Sequence, residues 1–593
     1  MSPPCRQWRV RPKLAEAELA RWPDLNRLVV QLLHNRGVCD PDQMRRFLGC
    51  EPLGATDPFA LRGIAEGVER LQAAIRAGEP IAVFGDYDAD GVTAAALVTQ
   101  ALRALGATLR PQPYIPDRVE EGYGLNDAAL EQLAGEGMRV VVTVDCGIRS
   151  VHEAATARAL GLDLIITDHH TPGEVLPEAV AVINPRQPGC TYPFKQLAGV
   201  GVAYKLAQAL HRAHGREASE DEWLDLVALG TVADLSPLLD ENRALVARGL
   251  ARINSQPRLG VRKLMETAGL REGAVTSHSI GYVLAPRLNA AGRLESAYKA
   301  YDLLMAEDEA TATALAQLLH QHNIDRQQRT REGVESARRL IEADGGAGLV
   351  YVIAEPHFEE GIVGLVAGRL TDEFYRPVLV AHRGPELTRG SARSIPEFHI
   401  TRALDECADL LVRHGGHTAA AGFTLPTPNL GALQQRLQEI AARELDGRTL
   451  VPTLDIDAEL NLRALDRSAI EDVLTARMAG VQCRSESSRA RAAAGVEILD
   501  ALDGLRPYGI ANPQPLFASY GLTVQRRRTM GRDGCHLKLE LDDGRQTWEA
   551  VCFNGADLCG RPGERVDVAY RLGTNDWDGR RRLQLLVEDV NVK

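Results

Sequence analysis

Apolar positions along this chain change texture three times. Between about residues 66 and 235, short unbroken apolar runs alternate with stretches of helical spacing: IAVF (81–84), RVVVTV (139–144) and LDLIIT (162–167) are separated by segments such as VTAAALVTQALRALGA. Unbroken runs of that length fit strands covered on both faces, so the pattern predicts a mostly parallel sheet with helices on either side. WLDLVALGTVADL (223–235) reads as a helix, and residues 310–344 as a long polar-faced helix with no glycine until Gly333. The strand–helix–strand series GLVYVIA (348–354), GIVGLVAGRL (361–370) and RPVLVAH (376–382) predicts a second α/β unit. Past about 451 the texture becomes short strands and turns (HLKLELDDG, TWEAVCF, ERVDVAYRL, RRLQLLVEDV), which suggests a small barrel of the OB type. Ahead of all this, LNRLVVQLLHNRG ends at Gly37, and Asp40 followed by Pro41 opens another helix. The expected fold class is therefore α/β: two parallel-sheet α/β domains joined by a long helix, plus a C-terminal OB-type β-barrel. The expected boundaries are a helical lead-in at 1–65, a first α/β domain at 66–300, a connecting helix at 301–345, a second α/β domain at 346–450 and the barrel at 451–593.

Chemistry enters where the strands end. Asp86, Asp88 and Asp90 alternate in GDYDADG, directly after the first strand, and residues at that spacing share one side of an extended chain. Carboxylates gathered so closely repel one another unless a cation sits among them. Asp145 follows the second strand and Asp168-His169-His170 follow the third. In parallel α/β sheets ligands bind at the carboxyl ends of strands, so divalent-metal binding is the expected chemistry. Asp234 stands near a helix end, where a capping or ion-pairing role is the plain alternative. GYVLAPRLNAAGRL (281–294) reads as a loop that gathers Arg287, Asn289 and Arg293. Ser391 and Arg393 follow in RGSARSIPEFHI, and Gly415-Gly416-His417 would let a backbone approach an anion while the ring donates to it; a turn with a surface histidine is the other reading. In the barrel region Trp548, Phe553 and Trp577 could stack on bases or pack the core.

Composition narrows the class. At 593 residues the chain is too long for one core, and its 45% hydrophobic and 25% charged content is that of a globular protein. No stretch approaches the roughly 18–20 apolar residues that span a bilayer, and MSPPCRQWRVRPK lacks the apolar core of a secretory signal, so a cytoplasmic protein without a membrane association is expected. Ten cysteines occur without a C-x-x-C pair, which indicates neither a zinc ribbon nor a disulfide framework. Cys146 reads as a small buried thiol rather than a ligand. The net charge of −12 argues mildly against nucleic-acid binding, but an acidic metal cluster lowers the total without forbidding basic patches such as Arg526-Arg527-Arg528 and Arg580-Arg581-Arg582.

In order along the chain, GDYDADG, VDCG, DHH, ADLSPL, APRLNAAGR, RSI and GGHTAAAGF resemble the motifs of the Asp-His-His phosphoesterase superfamily. Within it the chain is most similar to the bacterial single-stranded-DNA-specific exonucleases, from near residue 25 to the C-terminus, including LRPYGIANPQPLF (505–517). One departure is an Ala-, Arg- and Ser-rich insertion near 470–499, expected as a mobile surface segment. The resemblance implies a catalytic domain of the Asp-His-His type, an associated substrate-binding domain and an OB fold. It implies Asp88, Asp90, Asp145, His169 and Asp234 as ligands of two Mn²⁺ or Mg²⁺ ions; Asp86 could stand in an outer shell. It also implies His170 beside Asp145 in catalysis, and Arg287, Asn289, Arg293, Ser391, Arg393, Gly416 and His417 on substrate phosphates. The implied activity is 5′→3′ hydrolysis of single-stranded DNA to 5′-mononucleotides in recombination and repair. Implied partners are single-stranded DNA, single-strand-binding protein and a RecQ-type helicase, around a monomer. Two rivals are a phosphodiesterase for short oligonucleotides or cyclic dinucleotides, which would have no reason to carry the barrel, and a non-catalytic DNA-binding scaffold, which would lack competent ligands.

Overall fold

The computed structural model describes every residue except 1–5, 53, 55, 107–110, 119, 217–220, 347, 480, 482–484, 532–533, 557, 559–560, 578 and 593, and only the backbone of Trp577. The chain forms two compact units, one from residues 50–450 with 509–511 and one from 1–49, 451–508 and 512–593. No helix among the described residues is long and apolar enough to cross a membrane.

The first sheet of the larger unit runs in the order Gln112–Tyr114, Ile81–Phe84, Val140–Val144, Asp163–Thr167, Ala181–Ile183, with every pairing parallel. Alternate residues bury to opposite sides. Val83, Val142 and Ile165 join the core beneath the helices Ala89–Ala104 and Gly199–Ala213, while Phe84, Val141 and Ile166 join a second core with Leu130 and Ala154. This double coverage explains why the strands read as unbroken apolar runs. Phe84 pairs with Thr143 and Val144 with Thr167, so Asp86, Asp145 and Asp168 emerge along one carboxyl edge.

The helix Glu309–Ala343 spans 35 residues, about 50 Å at the usual rise. Ala312, Ala316 and Leu319 bury in the first core, and Val334, Ala337 and Ile341 in that of the second α/β region. Between the two groups lies the buried polar Asn323, whose Oδ1 accepts from Arg326 Nη2 at 2.9 Å. The α/β architecture stands, but the second sheet is mixed. Tyr351–Glu355 and Val378–Arg383 pair in parallel, whereas Leu387–Arg393, Ala420–Pro426 and Arg413–His417 follow antiparallel. Tight connections join Val378–Arg383 to Leu387–Arg393 and Arg413–His417 to Ala420–Pro426, and such links reverse the chain, whereas parallel pairing needs a long crossover.

In the smaller unit the strands Phe517–Met530, His536–Asp542, Thr547–Cys552, Arg580–Val592 and Arg565–Trp577 pair in that order, and the first also pairs with the last, which closes a five-stranded barrel. Two expectations change here. The lead-in is not purely helical, because Gln7–Val10 forms a strand parallel to Thr453–Ile456 and residues 1–49 group with the barrel. The described part of the insertion is not loose: Glu486–Gly504 is a helix capped by Ser485, and a Cβ at Gly495 would lie 2.1 Å from Ile470 Cδ1 of the neighbouring helix Arg467–Met478. Residues 480 and 482–484 of that insertion lie outside the described residues. Trp548 is fully buried and donates from Nε1 to Asp543 Oδ2 at 2.8 Å, so it packs the barrel rather than stacking on a base. Phe553 is exposed, with an edge contact to His536.

Candidate metal centre

The acidic run is not one extended segment. After the strand ends at Phe84, Asp88 becomes the N-cap of the helix Ala89–Ala104, its Oδ1 accepting from Asp90 N at 2.9 Å and Gly91 N at 3.1 Å. Asp90 therefore sits in the first helical turn, and its two oxygens accept from Gly199 N at 2.8 Å and Val200 N at 2.9 Å at the start of another helix. Asp145 holds a left-handed φ of 65°, unusual for a non-glycine residue and often found at functional sites. Its carboxylate leaves no room for a neighbouring side chain: a Cβ on Gly199 would stand 2.2 Å from Asp145 Oδ1, and one on Gly230 2.7 Å from Asp90 Oδ1. Glycine at both positions lets helix backbone approach the carboxylates.

Asp168 organises the loop after the third strand. Its Oδ1 accepts from His169 N, His170 N and His170 Nδ1 at 2.7, 3.0 and 2.8 Å, and its Oδ2 from Ile148 N at 2.9 Å. Burial alone would raise its pKa, but the His170 bond and charge together with the backbone donors hold it below the ordinary value. His169 projects into the acidic cluster. Its Nε2 lies 3.1 Å from Asp145 Oδ1 and its Nδ1 3.9 Å from Asp234 Oδ2. Asp234, at the C-cap of Leu224–Ala233, accepts from Ser236 Oγ at 2.7 Å.

Ligand-capable atoms of Asp90, His169 and Asp234 lie within 4.8 Å of one another, as do those of Asp86, Asp88 and Asp145, and those of Asp145, His169 and His170. The electrostatics of the metal-free cluster are unfavourable. Burial, followed by repulsion from Asp88, pushes Asp86 up to about 8. Burial raises Asp234 to about 6, and burial with repulsion from the other carboxylates drives Asp90 and Asp145 well above the ordinary range. Burial lowers His169 to about 3, so its ring is neutral. Asp86 Oδ1 is buried with no hydrogen-bond partner, and Asp145 Oδ1 and His169 Nε2, although 3.1 Å apart, make no aligned hydrogen bond with each other or with any other group, whereas such atoms are nearly always satisfied. Converging orphaned oxygens and one neutral imidazole suit hard divalent cations, which fits Mn²⁺ or Mg²⁺.

Positive charge gathers nearby. Arg293 is pulled down to about 9, first by burial and then by Arg118 and Arg326, with Arg393 adding to the repulsion and Asp88 opposing it. Arg118 donates from Nε to Gly292 O at 3.2 Å and lies 3.9 Å over the Tyr87 ring. Nε of Arg293 and of Arg326 is buried without a partner. Ser391 and Arg393 meet at the start of Val363–Phe374, where a Cβ on Gly364 would stand 3.2 Å from Arg393 Nη2 and 3.4 Å from Ser391 Oγ. A cleft of about 940 Å³ has Tyr123, Asp168 and His170 on one side and Ser391, Gly416 and His417 on the other.

Comparison with known proteins agrees with this layout. The DHH family N-terminal domain matches residues 80–231, the DHHA1 domain 346–443 and the RecJ OB domain 491–589. The single-stranded-DNA-specific exonuclease RecJ of Bacillus subtilis is 38% identical over 569 residues, covering 95% of this chain and 68% of that protein. That of Dickeya dadantii is 35% identical, covering 98% of this chain and 99% of that protein. The chain belongs to the RecJ family. The crystal structure of RecJ in complex with Mn²⁺ from Thermus thermophilus superposes with a TM-score of 0.80 at 30% identity, covering 99% of this chain and 79% of that one. The Mg²⁺ complex of the same protein gives 0.75 at 28% identity, over 99% and 78%.

In this RecJ-family chain the residues singled out from sequence divide into groups. Asp88, Asp90, Asp145, His169 and Asp234 converge, and Asp86 lies among them, grouped with Asp88 and Asp145. His170, Ser391, Gly416 and His417 line the cleft, but Gly415-Gly416-His417 lies in the strand Arg413–His417, not in a turn. Residues 281–294 are helical rather than a loop: a π-helical turn, Ile280–Leu284, leads into the helix Ala285–Leu294 with Pro286 in its first turn. On that helix Asn289 accepts from Ala89 N at 2.7 Å, which places it on the acidic loop's backbone. Arg287 turns toward the long helix, donating to His320 Nδ1 at 3.1 Å and Val283 O at 2.6 Å. Sequence reasoning misses Arg118, Arg326 and Tyr123, and the one signal available for Arg118 is its place just after the strand Gln112–Tyr114.

Proposed function

We propose that this chain is a metal-dependent exonuclease that digests single-stranded DNA from the 5′ end, releases 5′-mononucleotides and serves DNA recombination and repair. The observation that carries the reading is the set of orphaned, buried ligand atoms at the carboxyl edge of a parallel sheet, beside a cleft whose far wall holds Ser391, Gly416 and His417. Asp90, His169 and Asp234 would hold one ion and Asp86, Asp88 and Asp145 a second, with Asp145 also facing His169 and His170. When bound, such cations act as Lewis acids that make water a stronger nucleophile and offset charge on a phosphoryl oxygen.

His170 is fixed for proton transfer. Its Nδ1 sits 2.8 Å from Asp168 Oδ1 and 3.1 Å from the oxygen of the Tyr123 hydroxyl, whose single proton goes to Asp145 O at 3.1 Å. Nε2 is thereby left to the substrate. Burial disfavours a charged ring, yet the Asp168 hydrogen bond and charge outweigh it and raise the His170 pKa, so the ring can give a proton to a leaving 3′-oxygen. Arg118, Arg293, Arg326 and Arg393 are cations held partly out of water, poised for the phosphates that follow.

Arg393→Ala should raise KM for a single strand roughly ten- to hundredfold, the loss of a charged hydrogen bond, while the metal-induced rise in Tm stays as in wild type. Equal KM in the two proteins would remove this role. The fragment 50–450, which contains its own cores, should still digest short single strands but bind long ones more weakly than the whole chain. Undiminished affinity for a long oligonucleotide would give the barrel another task. The direct test of the reading is digestion of 5′- and 3′-labelled single strands and matching duplexes with Mn²⁺ or Mg²⁺. We also propose, from the resemblance, cytoplasmic action as a monomer beside single-strand-binding protein and a RecQ-type helicase. Light scattering and co-purification test these.

A further inference from the structure

Two exposed apolar side chains flank the end of the helix that delivers Asp234, and the chemistry above uses neither. Leu235 is 65% exposed and holds a left-handed φ of 60°. It terminates the helix, with Leu235 N donating to Val232 O and Ser236 N to Thr231 O, both at 3.3 Å. Glycine or asparagine fits that position with least strain, so leucine is disfavoured there twice, by its backbone and by its contact with water. Tyr282 is 74% exposed on the π-helical turn Ile280–Leu284, although Ile280 and Leu284 of the same turn are fully buried. Its ring stacks on that of exposed His278, with centroids 4.4 Å apart and planes 27° from parallel. The turn packs on the last turn of the Asp234 helix, where a Cβ on Gly281 would lie 3.6 Å from Val232 Cγ1. Helical turns with extra residues of this kind recur at functional sites.

We propose that Tyr282, backed by His278, is a stacking platform for an unpaired base next to the scissile phosphate, and that Leu235 closes the side of the same base. This rests on the nuclease reading, and it adds positioning residues that the metal and phosphate groups do not supply. The occupant follows from the place. A strand that presents a phosphate at Asp234 carries a base on either side of that phosphate, and Leu235, the next residue, is exposed where one of them can lie; an unpaired base has two faces seeking cover. A planar phenol–imidazole pair accepts any base by stacking, so the platform serves a digestion that is indifferent to sequence.

The test uses the full chain as wild type, Tyr282→Ala, Tyr282→Phe and Leu235→Gly, with single strands carrying 2-aminopurine at successive positions. Binding is read in EDTA, and KM and kcat with Mn²⁺. The expected result is quenching at one or two neighbouring positions that is lost in Tyr282→Ala and kept in Tyr282→Phe. KM for Tyr282→Ala should rise roughly five- to hundredfold, with a smaller change in kcat. An abasic site at the quenched position should erase the difference between wild type and Tyr282→Ala. Leu235→Gly should raise KM severalfold without lowering Tm, since glycine relieves the strained backbone. Unchanged quenching and affinity in Tyr282→Ala, in a protein whose wild type digests single strands, would overturn the platform alone. Wild type that neither binds nor digests them would remove the nuclease reading and the platform together.

Discussion

Asp145→Asn should abolish digestion of single-stranded DNA, lowering kcat about a thousandfold or more, beyond the ten- to hundredfold that residues merely orienting a ligand contribute. The carboxylate belongs to two of the three converging groups, one with Asp86 and Asp88 and one with His169 and His170. Its Oδ1 is buried and unpartnered, 3.1 Å from a neutral His169 Nε2. Asparagine keeps the shape that Gly199 was left bare to accommodate, and it tolerates the left-handed φ of 65° better than alanine does. The substitution therefore removes charge while sparing packing and backbone. In the absence of metal it also removes a group repelled by Asp90, Asp88, Asp234 and Asp86, so the metal-free variant should unfold at the wild-type temperature or above it. The rise in Tm on adding Mn²⁺ should shrink or vanish. Thermal unfolding with and without Mn²⁺, beside a steady-state assay, checks both halves. Wild-type activity at saturating Mn²⁺ would sink the two-ion reading.

Much of the catalytic half is legible in the sequence because its strands are covered on both faces. IAVF, VVVTV and LIIT announce themselves as apolar runs, and the acidic motifs follow each at once. Legibility fails where tertiary contacts override local signals. Pro286, Asn289 and Gly292 give residues 281–294 the look of a loop, yet that stretch is helical because Asn289 binds Ala89 N and Gly292 fits against Tyr87 O, contacts about 200 residues away. Gly415 and Gly416 hide a strand, since paired glycines lack the β-branched side chains that mark one; the pairing with Ala420–Pro426 defines it. Pairing of Gln7–Val10 with Thr453–Ile456 leaves no trace in either segment. Arg118 and Arg326 look like ordinary polar surface. Only the passage of the long helix between two cores buries Arg326, and only the sheet order brings Arg118 to Tyr87 and Gly292. The arginines proposed for phosphates are thus harder to read than the proposed metal ligands, because they are recruited from elements whose own patterns serve other ends.

In EDTA the protein should lose stability as pH rises from about 6.5 to 8, and Mn²⁺ should reverse the trend. Asp86, raised from the ordinary 3.8 to about 8, carries the trend in this window; Asp90 and Asp145, raised well above 3.8, act in the same direction, whereas Asp234, at about 6, has lost most of its contribution by 6.5. A carboxyl whose folded pKa is raised stabilises the fold fully below its unfolded value and loses that contribution as pH climbs through the folded one. Over that interval the native state holds protons that the unfolded chain has released. His170, raised above 6.5 by Asp168 against the effect of burial, acts in the same direction. His169, lowered by burial, acts oppositely, but only between about 3 and 6.5, so above 6.5 it no longer offsets the carboxyls. Cations need the anionic cluster and must displace those protons, so Mn²⁺ affinity should climb about tenfold per pH unit for each proton released. At a hundredfold excess over Kd the bound ion adds about 2.7 kcal/mol to stability. The gap between Tm in Mn²⁺ and in EDTA should therefore be widest near pH 8. Calorimetric titration in buffers of different ionisation enthalpy counts the protons directly. A Tm in EDTA that stays level from 6.5 to 8, together with Mn²⁺ binding that releases no protons, would mean that the cluster does not store protons in place of metal.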